Sequence, residues 1–413
     1  DEDDINVKAG LVYRLKDDVE EISNIRLGYT GRFVDDSFKA TEYNLTVEHA
    51  SDFPSLDGFS LDDYYNRDNL SSGWFKIQKN VDKYTVTKNI HSAYAEATYQ
   101  FTSRWIVNLG LKYDYVDINV DYNVNRGGSE GSNTIRKDYF LPSLNLKYNL
   151  NEKHSLRLGA SKTYTLPQAK EISPYRYVGV NFNSQGNPNL KPSDNYNFDL
   201  KWDFNPSPTE LVSLTAFYKH IKEPISRIEV ASAGGYLSYE NISDCAIVAG
   251  VEVEIRKNLF VRPLSSAANG MNKLSFGLNG SYIYTNAKMP LATVTTGSQL
   301  EGAAPWIANF DLSHHFTRDE RSFVNTLVLN YVSDKIYTIG TQGYQDIMER
   351  GLVTLDFVSQ ARLNKYLSLN LKARNLLNPS HKLSRKANES GEKVVLGDYK
   401  KGINISLGVS CTF

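Results

Sequence analysis

The chain has 413 residues and a formal net charge of −1, which excludes a surface built for nucleic acid or for a strongly charged partner. Mean hydropathy is −0.43 and no run of about 18 apolar residues occurs, so no transmembrane helix is present. A barrel is not excluded, because barrel strands need only about 9–11 residues and alternate apolar with polar.

Period-2 alternation dominates the chain. The acidic start Asp1-Glu2-Asp3-Asp4 carries no signal peptide and leads at once into a strand pattern, Ile5, Val7, Ala9, Leu11, Tyr13 and Leu15. It reads as a mature or truncated piece of a longer chain. Further runs follow at Ile25–Phe33, Tyr43–Val47, Ala93–Phe101, Trp105–Tyr115, Pro142–Leu150, Leu156–Thr163 and Tyr196–Phe204. The second half adds Val212–Tyr218, Val251–Ile255, Leu274–Tyr284, Trp306–Leu312, Leu327–Tyr331, Val353–Phe357, Leu367–Ala373 and Ile403–Phe413. Counted this way the chain holds about 16 strands and no convincing amphipathic helix.

The connections fall into two classes. Short polar turns lie at Thr102–Ser103, Asn151–His154, Asn205–Thr209, Thr317–Arg321 and Asn364–Lys365. Long loops lie at Ser51–Thr87, Asn123–Thr134, Gln168–Pro192, Glu223–Asp244, Ala287–Ala304, Tyr337–Arg350 and Pro379–Gly397. From Ser51 onward the classes alternate, except that Phe260–Asn272 is a long connection at a short-turn position. Strict alternation puts the long loops on one side of a sheet, as in outer-membrane barrels and unlike Greek-key sandwiches.

One face of each strand is nearly free of charge. The other carries Arg26, Glu96, Lys112, Asp114, Asn145, Lys147, Arg157, Asp199, Lys201, Glu252, Glu254 and Arg256, which suit a watery lumen. Aromatics gather near strand ends, as at Tyr113-Asp114-Tyr115 and Trp202-Asp203-Phe204, where interface girdles sit. A soluble sandwich would leave this apolar face as a large patch in water. The expectation is an all-β, transmembrane, antiparallel up-and-down barrel occupying residues 1–413 as one domain.

Four stretches now give a likeness. Leu141–Tyr148 with Ser155–Gly159, Thr163-Tyr164-Thr165-Leu166-Pro167 with Glu171–Pro174, Gly186-Asn187-Pro188-Asn189-Leu190-Lys191-Pro192, and Ala373–Asn378 with the strand ending in Phe413 resemble the barrel region of TonB-dependent outer-membrane receptors of Gram-negative bacteria. Leu166 stands where that family usually has Arg. The resemblance implies an outer-membrane importer that binds a scarce nutrient at its outer loops, a ferric siderophore or an oligosaccharide or peptide. The energy would come from TonB–ExbB–ExbD through an N-terminal plug not seen in this sequence. It also implies a barrel of 22 strands, of which these would be a part. The barrel-assembly machinery would read the terminal Phe413, outer-membrane lipid would surround the wall, and a surface lipoprotein is a further candidate partner. The alternatives are a passive porin of about 16 strands, and a barrel enzyme or adhesin.

Candidate ligand contacts are Tyr175, Arg176 and Tyr177, because aromatic-plus-Arg sets are favoured at hot spots. Asn187 and Asn189 join them, as do Tyr64, Tyr65 and Trp74 in the longest early loop. The competing reading of Gly186–Pro192 is a rigid turn. His314-His315 fall on opposite strand faces and cannot hold one metal. Haem-importing relatives tend to carry a His in the loop before Asn187, and Gln168–Gly186 has none. Cys245 and Cys411 lack metal spacing and are expected as free thiols. No catalytic set and no cofactor motif is present, so no enzyme is expected.

Overall fold

The computed structural model describes residues 1–15, 23–47, 62, 65–124, 130–231, 235–264, 270–289, 299–387 and 390–412. Tyr64 and Phe413 lie outside the described residues. In order the chain forms β1 (Glu2–Arg14), β2 (Asn24–Val47), helix α1 (Arg67–Ser71), β3 (Phe75–Gln100), β4 (Trp105–Asn123), β5 (Glu130–Asn149), β6 (His154–Thr165) and helix α2 (Ala169–Ile172). Then come β7 (Arg176–Tyr177), β8 (Asn183–Gln185), β9 (Ser193–Phe204), β10 (Leu211–Lys222), β11 (Ile225–Val230), β12 (Tyr236–Asn241), β13 (Cys245–Pro263) and β14 (Met271–Ala287). The chain ends with β15 (Trp306–Arg318), β16 (Arg321–Val332), β17 (Lys335–Thr338), β18 (Ile347–Glu349), β19 (Leu352–Arg362), β20 (Leu367–Arg374), β21 (Ser380–Lys386), β22 (Lys393–Lys400) and β23 (Asn404–Cys411).

Fifteen strands make one antiparallel up-and-down sheet, each paired to the next strand of the sheet from β1 to β23. The sequence count of about 16 exceeds this because Tyr43–Val47 is the continuation of β2, not a separate strand. The exception at Phe260–Asn272 also resolves. A bulge between Asn258 and Phe260 lets β13 stay paired with β14 as far as Pro263↔Met271, so the connection is short after all. A bulge adds a residue to one strand without ending the ladder. The predicted long loops are not all loop. Those at Gln168–Pro192 and Glu223–Asp244 supply a four-stranded sheet ordered β11-β12-β8-β7, and those at Tyr337–Arg350 and Pro379–Gly397 supply another ordered β17-β18-β21-β22.

The alternation changes sign along β2 to β5. At membrane level the outer rung Tyr29, Ala93, Tyr113, Phe140 is apolar, and each neighbour is the register partner of the last. Two rungs further out, Phe33, Asn89, Asp117 and Arg136 stand side by side, and Asp117 pairs with Arg136 at 3.3 Å. The inner face does the opposite. Below, Asn108 donates to Glu96 at 2.6 Å and to Thr98 at 2.8 Å. Above, Val116, Ile118 and Val120 are fully buried, packed with Tyr84, Val86, Tyr139, Ile172 and Leu190. The polar residues that suit a watery lumen therefore lie on the membrane-level part of the inner face, and further out that face is an apolar core. The reason is the solvent: hydrocarbon rewards apolar groups outside, and water rewards them inside.

The outer face sets a test. Leu111→Arg, at mid-depth, is expected to cost about 2–4 kcal/mol of barrel stability, whereas Asn119→Arg on the same face of β4 stays within about 0.5 kcal/mol. Urea unfolding in detergent micelles, followed by heat-modifiable gel migration, measures both. Equal costs would show that the face does not change solvent between these positions.

Candidate functional site

The site is built where the two small sheets meet over the end of the barrel that carries the long loops. An isolated parallel bridge joins Ile228 to Ile339, with Glu229 N–H donating to the Ile339 carbonyl at 3.0 Å and Ile339 N–H to the Arg227 carbonyl at 3.1 Å. Arg385 of β21 pairs with Glu229 of β11, fixing the second sheet on the first. Ile228, Ile336, Ile339, Ala246, Ala287 and Leu300 form an apolar cluster under this joint.

The Gly186–Pro192 stretch anchors the first sheet to the barrel. The ladder between β5 and β6 ends at Ser143↔Ser161, although β5 extends to Glu130. The loop lies along the edge so left open, and the Asn133 side chain donates to the Pro188 carbonyl. Asn187 is spent internally: its N–H donates to the Glu171 carbonyl at 2.6 Å, its amide to the Tyr239 carbonyl at 2.9 Å, and its side-chain oxygen accepts from Asn189 N–H at 3.0 Å. Asn241 bonds both the N–H and the carbonyl of Lys191, each at 2.9 Å. Gly186 is required, because a Cβ there would overlap the carbonyl oxygens of Ser173, Lys170 and Glu171. Leu190 is buried in the barrel-end core. This is the rigid-turn geometry, with Asn189 exposed at its rim.

Between the sheets lies a cavity of about 360 Å³, lined by Lys170, Tyr177, Arg227, Tyr337, His381 and Tyr399 among others. The Arg227 guanidinium lies 4.0 Å over the Tyr337 ring and pairs with Glu301 at 2.9 Å. Lys170 Nζ sits 4.8 Å over the Tyr177 ring, and His381 stacks on Tyr399 at 5.1 Å. Burial pushes the Glu301 carboxyl above the usual carboxylate range despite the Arg227 contact, and burial does the same to Glu171. Lys382 pairs with Asp398 at 3.4 Å and Glu349 with Lys335 at 3.3 Å, which leaves Lys170 as the lining cation held against a ring and not against a carboxylate in the described geometry. The arrangement is aromatic and cationic: it can stack on flat groups and attract anions.

The structure separates the residues singled out in the sequence. Tyr177 faces the cavity, and its hydroxyl meets that of Tyr84 at 2.6 Å. Tyr175 packs beside it, and both rings lie against Phe38, at 4.9 Å and 5.5 Å, at the barrel-end core. Arg176 lies 4.7 Å over the Tyr236 ring, and its Nε is buried with no hydrogen-bond partner. Tyr65 meets Phe75 edge to face at 5.4 Å and Trp74 N–H bonds the Asn69 carbonyl at 3.0 Å, both on the β2–β3 connection and on different elements from the cavity. His314 bonds Asn272 at 2.9 Å, Cys245 and Cys411 are free, and no group of three metal-ligating side chains occurs among the described residues. Sequence reasoning missed Lys170, Arg227, Tyr337, His381 and Tyr399. The available signal was the short alternation inside the loops, such as Ile225 to Val230.

A family model described as "TonB dependent receptor-like, beta-barrel" matches residues 1–376. The iron-regulated outer membrane virulence protein of Vibrio cholerae is 31% identical over 91 residues, which are 22% of this chain and 14% of that protein. Among solved structures, the ferric yersiniabactin uptake receptor FyuA of Yersinia pestis has the same fold at 14% identity and a TM-score of 0.62, over 100% of this chain and 54% of that one. The siderophore receptor PiuA of Acinetobacter baumannii is 14% identical with a TM-score of 0.58, over 99% of this chain and 56% of that one. The copper transporter OprC is 13% identical with a TM-score of 0.64, over 100% of this chain and 57% of that one. The chain thus spans little more than half the length of these receptors.

Gly186→Ala should free the loop from α2 and the open edge of β5. Hydrogen exchange over residues 168–192 is expected to rise about tenfold or more while the membrane-level strands keep their protection. A second expectation concerns pH. Glu171 and Glu301 have folded values raised above 4.5, so the folded loops hold protons that the open loops release. Their contribution is fully present below about 4.5 and is lost as pH rises through the folded values. Exchange protection of residues 225–230 and 236–241, corrected for the intrinsic rate, should therefore fall from pH 4.5 toward neutrality, and a rise would contradict the assignment.

Proposed function

The chain belongs to the TonB-dependent receptor family, and from that premise we propose that it is most of the barrel of an importer that binds a scarce nutrient at its outer loops. It is a protein of the Gram-negative outer membrane. Import is energised by TonB–ExbB–ExbD acting on a plug segment elsewhere in the protein, and the barrel itself does no covalent chemistry. The observation that supports the ligand class is the aromatic, cationic cavity between the two loop sheets. It favours an anionic ligand with flat groups, a ferric siderophore, over a neutral oligosaccharide.

Lys170 supplies the charge, and Tyr177, Tyr337 and Tyr399 supply the stacking faces. Arg176 and Tyr175 hold the loop that presents Tyr177. Asn189 is a rim contact and Asn187 holds the loop behind it, while Tyr65 and Trp74 are outlying candidate contacts with which Tyr64, outside the described residues, is grouped by sequence. Phe413 is assigned to the assembly machinery and a lipoprotein to the outer surface.

In the full-length receptor, Lys170→Gln is expected to weaken binding of an anionic ferric chelate about tenfold, near 1.4 kcal/mol, with folding unchanged. Uptake of radiolabelled iron–siderophore should depend on that residue and vanish without TonB. Uptake that persists without TonB, together with ohmic conductance in a planar bilayer, would favour the porin instead.

A further inference from the structure

The outward half of β5 lacks the neighbour that its other half has. Asn149 N–H donates to the Arg104 carbonyl on the β4 side, and Leu150 N–H donates to the His154 carbonyl on the β6 side. Odd residues of β5 therefore bond to β4 and even ones to β6, as an antiparallel ladder requires. The pairing with β4 runs without a bulge from Trp105↔Tyr148 to Asn123↔Glu130, so this alternation holds to the end of the strand. Beyond Ser143↔Ser161 no β6 residue pairs with β5, and Thr134, Arg136, Asp138 and Phe140 turn their N–H and C=O groups to the open side. Among the described residues none of these main-chain groups meets a hydrogen-bond partner.

The opening is held by specific contacts. β6 turns away from β5 while it stays paired with β9 as far as Thr165↔Ser193. Tyr164 fixes that course: its ring stacks on Tyr139 at 3.9 Å, and its hydroxyl donates to Asp114 at 2.8 Å, both on the inner face of the wall. Pro142 marks the lower end, since it faces the open side and has no N–H to offer. The bond from the Asn133 side chain to the Pro188 carbonyl marks the upper end. Between them the edge from Thr134 to Asp138 lies at and beyond the membrane interface and is about 15 Å long.

This edge borders a groove of about 460 Å³ between β5 and the Pro188–Pro192 stretch. Arg136, Lys137 and Lys191 line the groove, and no carboxylate does. Carboxylates stand behind the cations: Asp117 is 3.3 Å from Arg136, Asp194 is 3.3 Å from Lys137 and Glu223 is 3.6 Å from Lys191. Arg136 and Lys191 are nonetheless exposed, where such pairs are weak and a second carboxylate can share the cation. Asp138 is the acid on the edge itself, at its lower end. Charges on a bare edge turn away indiscriminate strands. What fits here is a strand whose main chain completes the ladder and whose side chains answer the cations.

We propose that this edge is a docking site for an extended, acidic segment of another protein. The segment joins the sheet as a short strand beside β5. It exchanges main-chain hydrogen bonds with Thr134, Arg136 and Asp138 and turns carboxylates toward Arg136 and Lys191. Main-chain pairing supplies the affinity, and the alternate side chains supply the selection. The groove shares no lining residue with the cavity between the loop sheets, so the site is independent of the import reading.

A fluorescein-labelled peptide of about eight residues, alternating threonine with glutamate, tests it on the full-length receptor in detergent. Fluorescence anisotropy should show one saturable site, at least about tenfold tighter than for the same peptide with lysine in place of glutamate. N-methylation of one set of alternate peptide amides should abolish binding and of the other set leave it, because only one edge of the peptide faces β5. On the receptor, Asp138→Pro removes an N–H that serves only the open side and should abolish binding. Combining Arg136→Gln with Lys191→Gln should weaken it about tenfold. Amide exchange over residues 134–140 should slow when the peptide is bound. Heat-modifiable migration checks that the variants fold, and the N-methylated peptides decide the question if Asp138→Pro does not. The proposal is overturned by a lack of saturable binding, by equal binding of the two peptides, by equal effects of the two N-methylated sets, or by a folded Asp138→Pro that binds as before. A receptor dimer in analytical ultracentrifugation that Asp138→Pro dissolves would overturn it too, and would give the edge to a second copy.

Discussion

Everything in this structure follows from the need of each backbone N–H and C=O for a partner where no water can supply one. In hydrocarbon that need forces an antiparallel ladder, and each strand of the wall from β1 to β23 pairs with the next strand of the sheet. The ladder does not end with the membrane. β2 and β3 stay paired over 24 residue pairs, from Asn24↔Thr98 to Val47↔Phe75, well past the length that a bilayer requires. Beyond the membrane the same strands meet water outside, and their side chains reverse. Val116 and Ile118 turn an inner face that is polar lower down into a core. Each fully buried side chain of that size is worth about 1.5–3 kcal/mol, so the reversal supplies the loops with something to pack on.

An open edge then explains the loop motif. Above Ser143, β5 loses β6 as a partner, and an unpaired strand edge is costly when covered and hazardous when bare. The motif meets it through Asn133 and Pro188, while Gly186 lets the chain pass against α2. Asn187 and Asn241 pass the constraint on to β12, and β12 pairs in parallel with β8. The cavity is therefore held by hydrogen bonds that trace back to a gap in the wall.

The barrel was legible in the sequence because its signal is local and repeated. Alternation needs no knowledge of partners, so 15 strands could be counted as about 16, with Tyr43–Val47 as the surplus. The cavity was not legible. Its strands are short, with β7, β8 and β18 at two or three residues, below any periodicity. Lys170, Arg227, Tyr337 and His381 come from four different loops and meet only through pairing of those strands. The Tyr175–Tyr177 segment obeys alternation, since both rings pack on Phe38, but alternation alone does not tell that Tyr177 also lines the cavity.

The charges of the cavity are arranged so that binding does not have to unmake the fold. Arg227 looks like the natural anion receptor, but it is committed: Glu301 takes its guanidinium and also its N–H at 2.6 Å, and the Tyr337 carbonyl accepts from it at 2.7 Å. Removing one partner of such a half-buried pair leaves the other uncompensated, so Arg227 is a bolt between the β11–β12 sheet and β17. A ligand that competed for it would have to break the joint at Ile228 and Ile339. Lys170 carries no such duty. It stands on α2, held over Tyr177, where an anion can meet it while every sheet-joining contact stays in place. Rigidity thus rests on Arg227 and the proposed recognition on Lys170, a division that would let a site on loops be preorganised before a ligand arrives.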